Sequence, residues 1–124
     1  TLGELLDQVN GKVPLVIELK PQWDGDLTLT RRAIEVLKDY KGPYCLMSFD
    51  PDVVEGVRKL SPTTVRGFIS DRAFHGYYGQ LPEAMQRELR TLSCLGRMAP
   101  HFVSIDINEM PWAPMRSPRI RPGR

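Results

Sequence analysis

Long apolar runs, cysteine and histidine are all scarce in this 124-residue chain, and each shortage removes a class of protein. The cleanest apolar run, Val13 to Leu19, is already interrupted by Glu18, so nothing approaches the roughly 18 residues of a membrane span. Cys45 and Cys94 are far apart in sequence. They have no metal-ligand spacing and no disulfide framework to belong to. Only His75 and His101 offer imidazole chemistry. Ser/His/Asp spacing, a phosphate-cradling glycine loop and a zinc pattern are all missing from the sequence. Thr1 opens directly into a helix-like stretch and not into a secretory signal, so the expected setting is reducing and cytoplasmic.

Acid is missing from one place in particular. Arg116, Arg119, Arg121 and Arg124 lie in a tail, residues 115–124, that has no Asp or Glu. Removing those four charges from the net +2 leaves the body at −2. A mildly acidic body argues against a nucleic-acid-binding face on the folded part. What remains is 41% apolar and 26% charged, ordinary globular values in a length that suits one domain.

Helix and strand signals alternate along the body. Thr1 and Glu4 form a capping-box pattern, and Leu2, Leu5, Leu6 and Val9 follow at helical spacing until Gly11. Val13 to Lys20 reads as a strand and residues 21–27 as a loop. Leu29, Ala33, Val36, Leu37 and Tyr40 then line a second helix that stops at Gly42. Tyr44 to Phe49 is the next strand. Asp50-Pro51 is a helix start, with Val53, Val57 and Leu60 on the buried face. Thr64 to Ile69 is a third strand and residues 70–81 a loop. A helix from Pro82 to Gly96 carries Met85, Leu89, Leu92 and Leu95, and Phe102 to Ile107 is the fourth strand. Strands that alternate with helices predict a parallel α/β sheet. Their near-continuous apolar character fits helices on both faces or closure into a barrel. The four strands leave two open edges, which pairing of two copies would cover.

Candidate site residues gather where strands end. Glu18 and Lys20, at i and i+2, project to one face at the C-terminal end of the first strand. A carboxylate there suits a hard cation such as Mg²⁺ or Ca²⁺, and the lysine a phosphate oxygen. A structural ion pair accounts for the same two residues equally well. Ser48 has the choice of a barrel interior or a backbone partner, and Asp50 reads as a helix cap. Ser104, Asp106 and Asn108 share a face of the fourth strand, as a polar site lining or a satisfied network. His101 precedes its strand, at the wrong end for a barrel site. Trp23 and Trp112 lie in loops, where anchoring is the common use.

The run Thr1-Leu2-x-Glu4-Leu5-Leu6, then Val13-Pro14-Leu15-Val16-Ile17-Glu18-Leu19-Lys20, then Met47-Ser48-Phe49-Asp50-Pro51 resembles the glycerophosphodiester phosphodiesterases. Phe102-Val103-Ser104-Ile105-Asp106 is similar to a late strand of the same family. The resemblance is collinear over residues 1–114. It implies part of a TIM-type (β/α)8 barrel, about strands 3 to 6, with residues 115–124 an irregular tail. The activity it implies is hydrolysis of a glycerophosphodiester, a small-molecule substrate, to an alcohol and glycerol 3-phosphate with a divalent metal. Glu18 falls on a metal ligand and Lys20 on a phosphate contact. Ser48 and Asp106 are weaker substrate-side candidates. The family's His-Arg-Gly strand, its His-Asp motif and its late Trp-Thr strand have no counterpart here, and neither His75 nor His101 matches them. No catalytic residue is therefore assigned, and the chain alone is predicted to be inactive. A non-catalytic α/β module that binds a phosphorylated metabolite or partner is the competing expectation. A nucleic-acid or membrane-surface role for the arginine tail is a third, marked by steep salt dependence.

Overall fold

The computed structural model describes residues 1–71 and 76–110. His75, Trp112 and the arginine tail lie outside them. The described residues form five helices and four strands, in the order α1 (Leu2–Val9), β1 (Leu15–Glu18), α2 (Thr28–Leu37), β2 (Tyr44–Ser48), α3 (Pro51–Leu60), β3 (Arg66–Ser70), α4 (Glu83–Thr91), α5 (Leu95–Met98) and β4 (Phe102–Ile105). Short 3₁₀ turns cover Gly76–Gln80 and Ile107–Glu109. The sheet order is β1-β2-β3-β4, and every pairing is parallel. Each strand therefore pairs only with its neighbours in sequence.

Local chemistry explains the helix ends. Glu4 N–H donates to Thr1 Oγ1, and Thr1 returns two bonds to the Glu4 carboxylate, so the capping box is complete. Asn10, left-handed at φ 46°, closes α1. Asp50 caps α3 by accepting from Asp52 N–H at 2.8 Å, with Pro51 in the first turn.

The register sorts side chains onto two faces. Leu15, Ile17, Leu19, Tyr44 and Leu46 pack with Leu6 of α1, Ala33 and Leu37 of α2, and Val53 and Val57 of α3. Phe68, Val103 and Ile105 pack with Val54, Leu89 and Met98 of α3, α4 and α5. All five helices thus contribute to cores on one side of the sheet. The other side carries Val16, Glu18, Cys45, Met47, Gly67, Ile69, Phe102 and Ser104, and no described helix covers it. Val16 is 64% exposed. Among the described residues, helices cover one face of the sheet.

Several details differ from the sequence reading, the strand ends among them: β2 stops at Ser48, β3 is Arg66–Ser70 and β4 stops at Ile105. β1 is shorter than Val13–Lys20, although Leu19 N–H still donates to Met47 O just beyond its end. Leu29 is 52% exposed, and Thr30 takes its place facing the sheet, because Thr30, Ala33 and Leu37 hold the 3–4 spacing. The helix expected from Pro82 to Gly96 breaks at Leu92, which turns left-handed (φ 56°). Hydroxyl groups compete with the helical pattern there: Thr91 Oγ1 bonds Arg87 O and Ser93 Oγ.

Candidate functional site

The C-terminal rim of the uncovered face carries the Glu18–Lys20 pair. β1 delivers Glu18 at its last position, and Lys20 follows one residue past the buried Leu19. The Lys20 ammonium donates to Glu18 Oε1 at 2.8 Å. Lys20 keeps 74% of its side chain in solvent, whereas Glu18 keeps 25%, because Glu18 stands on the sheet beside Met47. The pair predicted from the i, i+2 spacing therefore exists on one face, with the cation reaching outward and the carboxylate held close to the sheet.

Ser48 lies on the opposite, helix-covered side, fully buried. Its hydroxyl donates to Leu19 O at 2.7 Å and accepts from Asp50 N–H at 3.2 Å. Both capacities are used to lock the exits of β1 and β2 together. Asp50 is only 2% exposed, and burial raises its pKa against the bonds it takes from α3. Asp106 is exposed and caps the final 3₁₀ turn, accepting from Asn108 N–H and Asn108 Nδ2. Because β4 ends at Ile105, the alternation that would aim Ser104, Asp106 and Asn108 along one strand face stops short.

Glu18 and Asp106 do not meet. Glu18 ends β1 and Asp106 follows the end of β4, and these outer strands lie three interstrand spacings apart, or about 14 Å. Among the described residues no group of three or more His, Cys, Asp or Glu is placed to share a metal ion. Ca²⁺ takes about 6–8 oxygens and Mg²⁺ an octahedron, so Glu18 is at most one ligand of such a site. Among the described residues, the four β/α units do not make a metal centre by themselves.

His101 sits at the N-terminal end of β4. Its Nδ1 accepts from Arg66 N–H at 3.2 Å, which puts the imidazole proton on Nε2 and commits the ring to the sheet edge. Arg66, buried on the helix side, donates to the carbonyls of Met98, Ala99 and Pro62. That end of the sheet is structural.

A second rim feature lies in the loop after β3, at Gly76-Tyr77-Tyr78-Gly79. Tyr78 donates to Asp71 Oδ1 at 2.6 Å just after β3, Tyr77 stacks on it at 4.1 Å, and the Trp23 ring meets it edge-on at 5.9 Å. Burial raises the Tyr78 pKa and keeps the phenol neutral. Trp23 holds φ 61° to make this contact, so the loop after β1 is anchored across the top of the helix-side core.

No described helix is long and apolar enough to cross a membrane. Comparison with family models, curated proteins and solved structures returns no match.

Proposed function

We propose that the chain supplies four consecutive β/α units of a TIM-type (β/α)8 barrel, and that the rim pair Glu18–Lys20 binds a glycerophosphodiester of the kind its sequence resemblance implies. One observation carries this reading. A carboxylate and a solvent-reaching ammonium stand together at the C-terminal rim of the one sheet face that no described helix covers. In (β/α) barrels that rim is where substrate groups gather, and the helix-free face is the interior. Sequential strand order with all helices on one side is the pattern a singly wound barrel requires, whereas a doubly wound sheet reverses its order and covers both faces.

Lys20 would neutralise a phosphate oxygen as a point charge. Glu18 would orient Lys20 in the free protein and act as one carboxylate ligand when a divalent ion joins the site. Among the described residues, no histidine stands at this rim.

The test is binding of glycerol 3-phosphate to the full chain by calorimetry, with and without Ca²⁺. The expected affinity is about millimolar, as suits one cation and one carboxylate. Lys20→Met should abolish binding, and Glu18→Gln should remove the part that depends on Ca²⁺. Release of glycerol 3-phosphate from a glycerophosphodiester should stay at background. Turnover abolished by Glu18→Ala would overturn the assignment of an inactive chain. The close ion pair favours one second reading, a phosphate-binding module without metal. Binding that ignores both Ca²⁺ and Glu18→Gln would select it.

A further inference from the structure

We infer that Trp23 is the positioning residue of the Glu18–Lys20 pair: docked on Tyr78, it straps the loop after β1 across the end of the sheet and so holds Lys20 over Glu18. The use of that pair for a phosphate rests on the preceding reading, whereas the strap itself does not.

The loop joins two sides of the molecule. Lys20 stands with Glu18 on the uncovered face, and Trp23 packs against the helix-side core. Only Pro21 and Gln22 lie between them. Pro21 has a fixed φ and disfavours the helical region for Lys20, so a displacement at Trp23 is passed to the Lys20 backbone instead of being absorbed. The receiving surface is rigid. Tyr78 is buried, and its hydroxyl donates to Asp71 Oδ1 at 2.6 Å, one residue past the end of β3. The Trp23 ring meets it edge-on at 5.9 Å, a favoured geometry for two aromatic rings. The strap therefore ties the exit of β1 to the exit of β3, past β2 that lies between them.

The dock is held against a cost. Trp23 has φ 61°, in the left-handed region that bulky side chains seldom adopt, and that strain is released when the ring leaves Tyr78. Packing beneath the loop is sparse. Gln22, Asp24, Gly25 and Asp26 are exposed, and a cavity of about 40 Å³ remains under them, between Lys20 and Asp26 on the loop and Thr30 and Asp50 opposite. The tip carries its own hydrogen bonds instead: Asp26 N–H donates to Asp24 Oδ1 and Thr28 N–H to Asp26 Oδ1, both at 2.9 Å. It moves as one piece about Leu27, which is seated against Gly56 of α3. With the strap docked, the Lys20 ammonium stands 2.8 Å from Glu18 Oε1 with its outer side in water. With the strap released, Lys20 leaves the carboxylate.

The test is trace acetylation of the full chain, with Lys20 read against Lys12 by mass spectrometry. Lys12 is exposed at the opposite end of β1 and serves as the internal standard. In Trp23→Ala, Lys20 should react about threefold faster relative to Lys12, the scale of an exposed ion pair lost. Trp23→Phe keeps a ring for Tyr78 and should restore the parent rate. Pro21→Gly leaves the ring in place and loosens its link to Lys20, and should raise the rate by the same factor. In a Glu18→Gln background Lys20 is already fast, and Trp23→Ala should add nothing, because both changes remove one interaction. A Lys20 rate that neither Trp23→Ala nor Pro21→Gly moves overturns the inference. So does a Trp23→Ala effect of full size in Glu18→Gln, since the loop then shields Lys20 and does not position it. Glycerol 3-phosphate binding is read separately. A chain with the expected Lys20 pattern that binds none keeps the strap and removes the phosphate reading. A chain that binds it with Lys20 rates unmoved by the variants keeps the reading and removes the strap.

Discussion

At the scale of single residues, two positions show how little freedom the sheet allows. Gly67 lies under the Phe102 ring, and a Cβ there would sit 2.2 Å from ring carbons. Gly67→Ala must lift the ring off the sheet, and the expected loss is about 1–2 kcal/mol, read as a lower urea midpoint at unchanged slope. Combined with Phe102→Ala, most of that loss should vanish. Asp50 presents a different compromise. It is a good cap in a place that disfavours its charge, so its pKa is raised by burial. A raised folded-state pKa means that its stabilisation is fullest below the unfolded-state value and declines as pH rises through the folded one. Asp50→Asn keeps the cap and drops the charge. The variant should match or exceed the parent at pH 7, with the gain shrinking towards pH 3, whereas Asp50→Ala should cost about 1 kcal/mol. Melting both variants across that pH range checks it.

At the scale of elements, the helical layer is tied by one guanidinium. Arg97 of α5 reaches Asp52 and Glu55 of α3 and Glu88 of α4, each within 2.8 Å. The three carboxylates raise its pKa despite burial. Glu55 is held below the ordinary carboxylate range, first by Lys59 and then by Arg97. A depressed folded-state value gives stability that is present above the unfolded-state pKa and lost as pH falls through the folded one. Arg97→Met leaves the acids facing each other, partly in solvent, and should cost about 2 kcal/mol at pH 7. The cost should be smaller at pH 4, because protonation relieves the repulsion. An equal loss at both values would show that packing, and not charge, is what Arg97 contributes.

Element order, the parallel sheet, the α3 cap and the Glu18–Lys20 pair were legible because each rests on short-range rules: apolar spacing, a cap residue, i and i+2 on one face. The break at Leu92 was hidden because Leu89, Leu92 and Leu95 keep helical spacing across it. The hydroxyls of Thr91 and Ser93 decide otherwise. Ser48 was legible as a polar residue in a buried strand, but its face depended on whether the chain puts helices on one side or two. Both faces of these strands are apolar, so the alternation that would have told them apart was missing.

At the scale of the whole molecule, the candidate site and the fold are one fact seen twice. The rim pair is exposed because the face beneath it is bare, and the face is bare because every crossover falls on the same side. Strand order carries a further consequence, for how the chain gets built. No strand is inserted between two earlier ones, so each β/α unit adds to an edge already formed, and pairings span only neighbouring stretches of sequence. Each parallel pairing still has to close a whole crossover before it is rewarded, which makes such a sheet slow to fold beside a helical bundle. Strand order also grades the sheet from its middle outward. Backbone amides of β2 and β3, bonded on both flanks, should exchange with deuterium far more slowly than those of β1 and β4. Equal protection across all four strands would mean that the sheet opens only as a whole. With the graded result, the growing chain can stack unit upon unit as it leaves the ribosome, each new strand meeting an edge that is already in place.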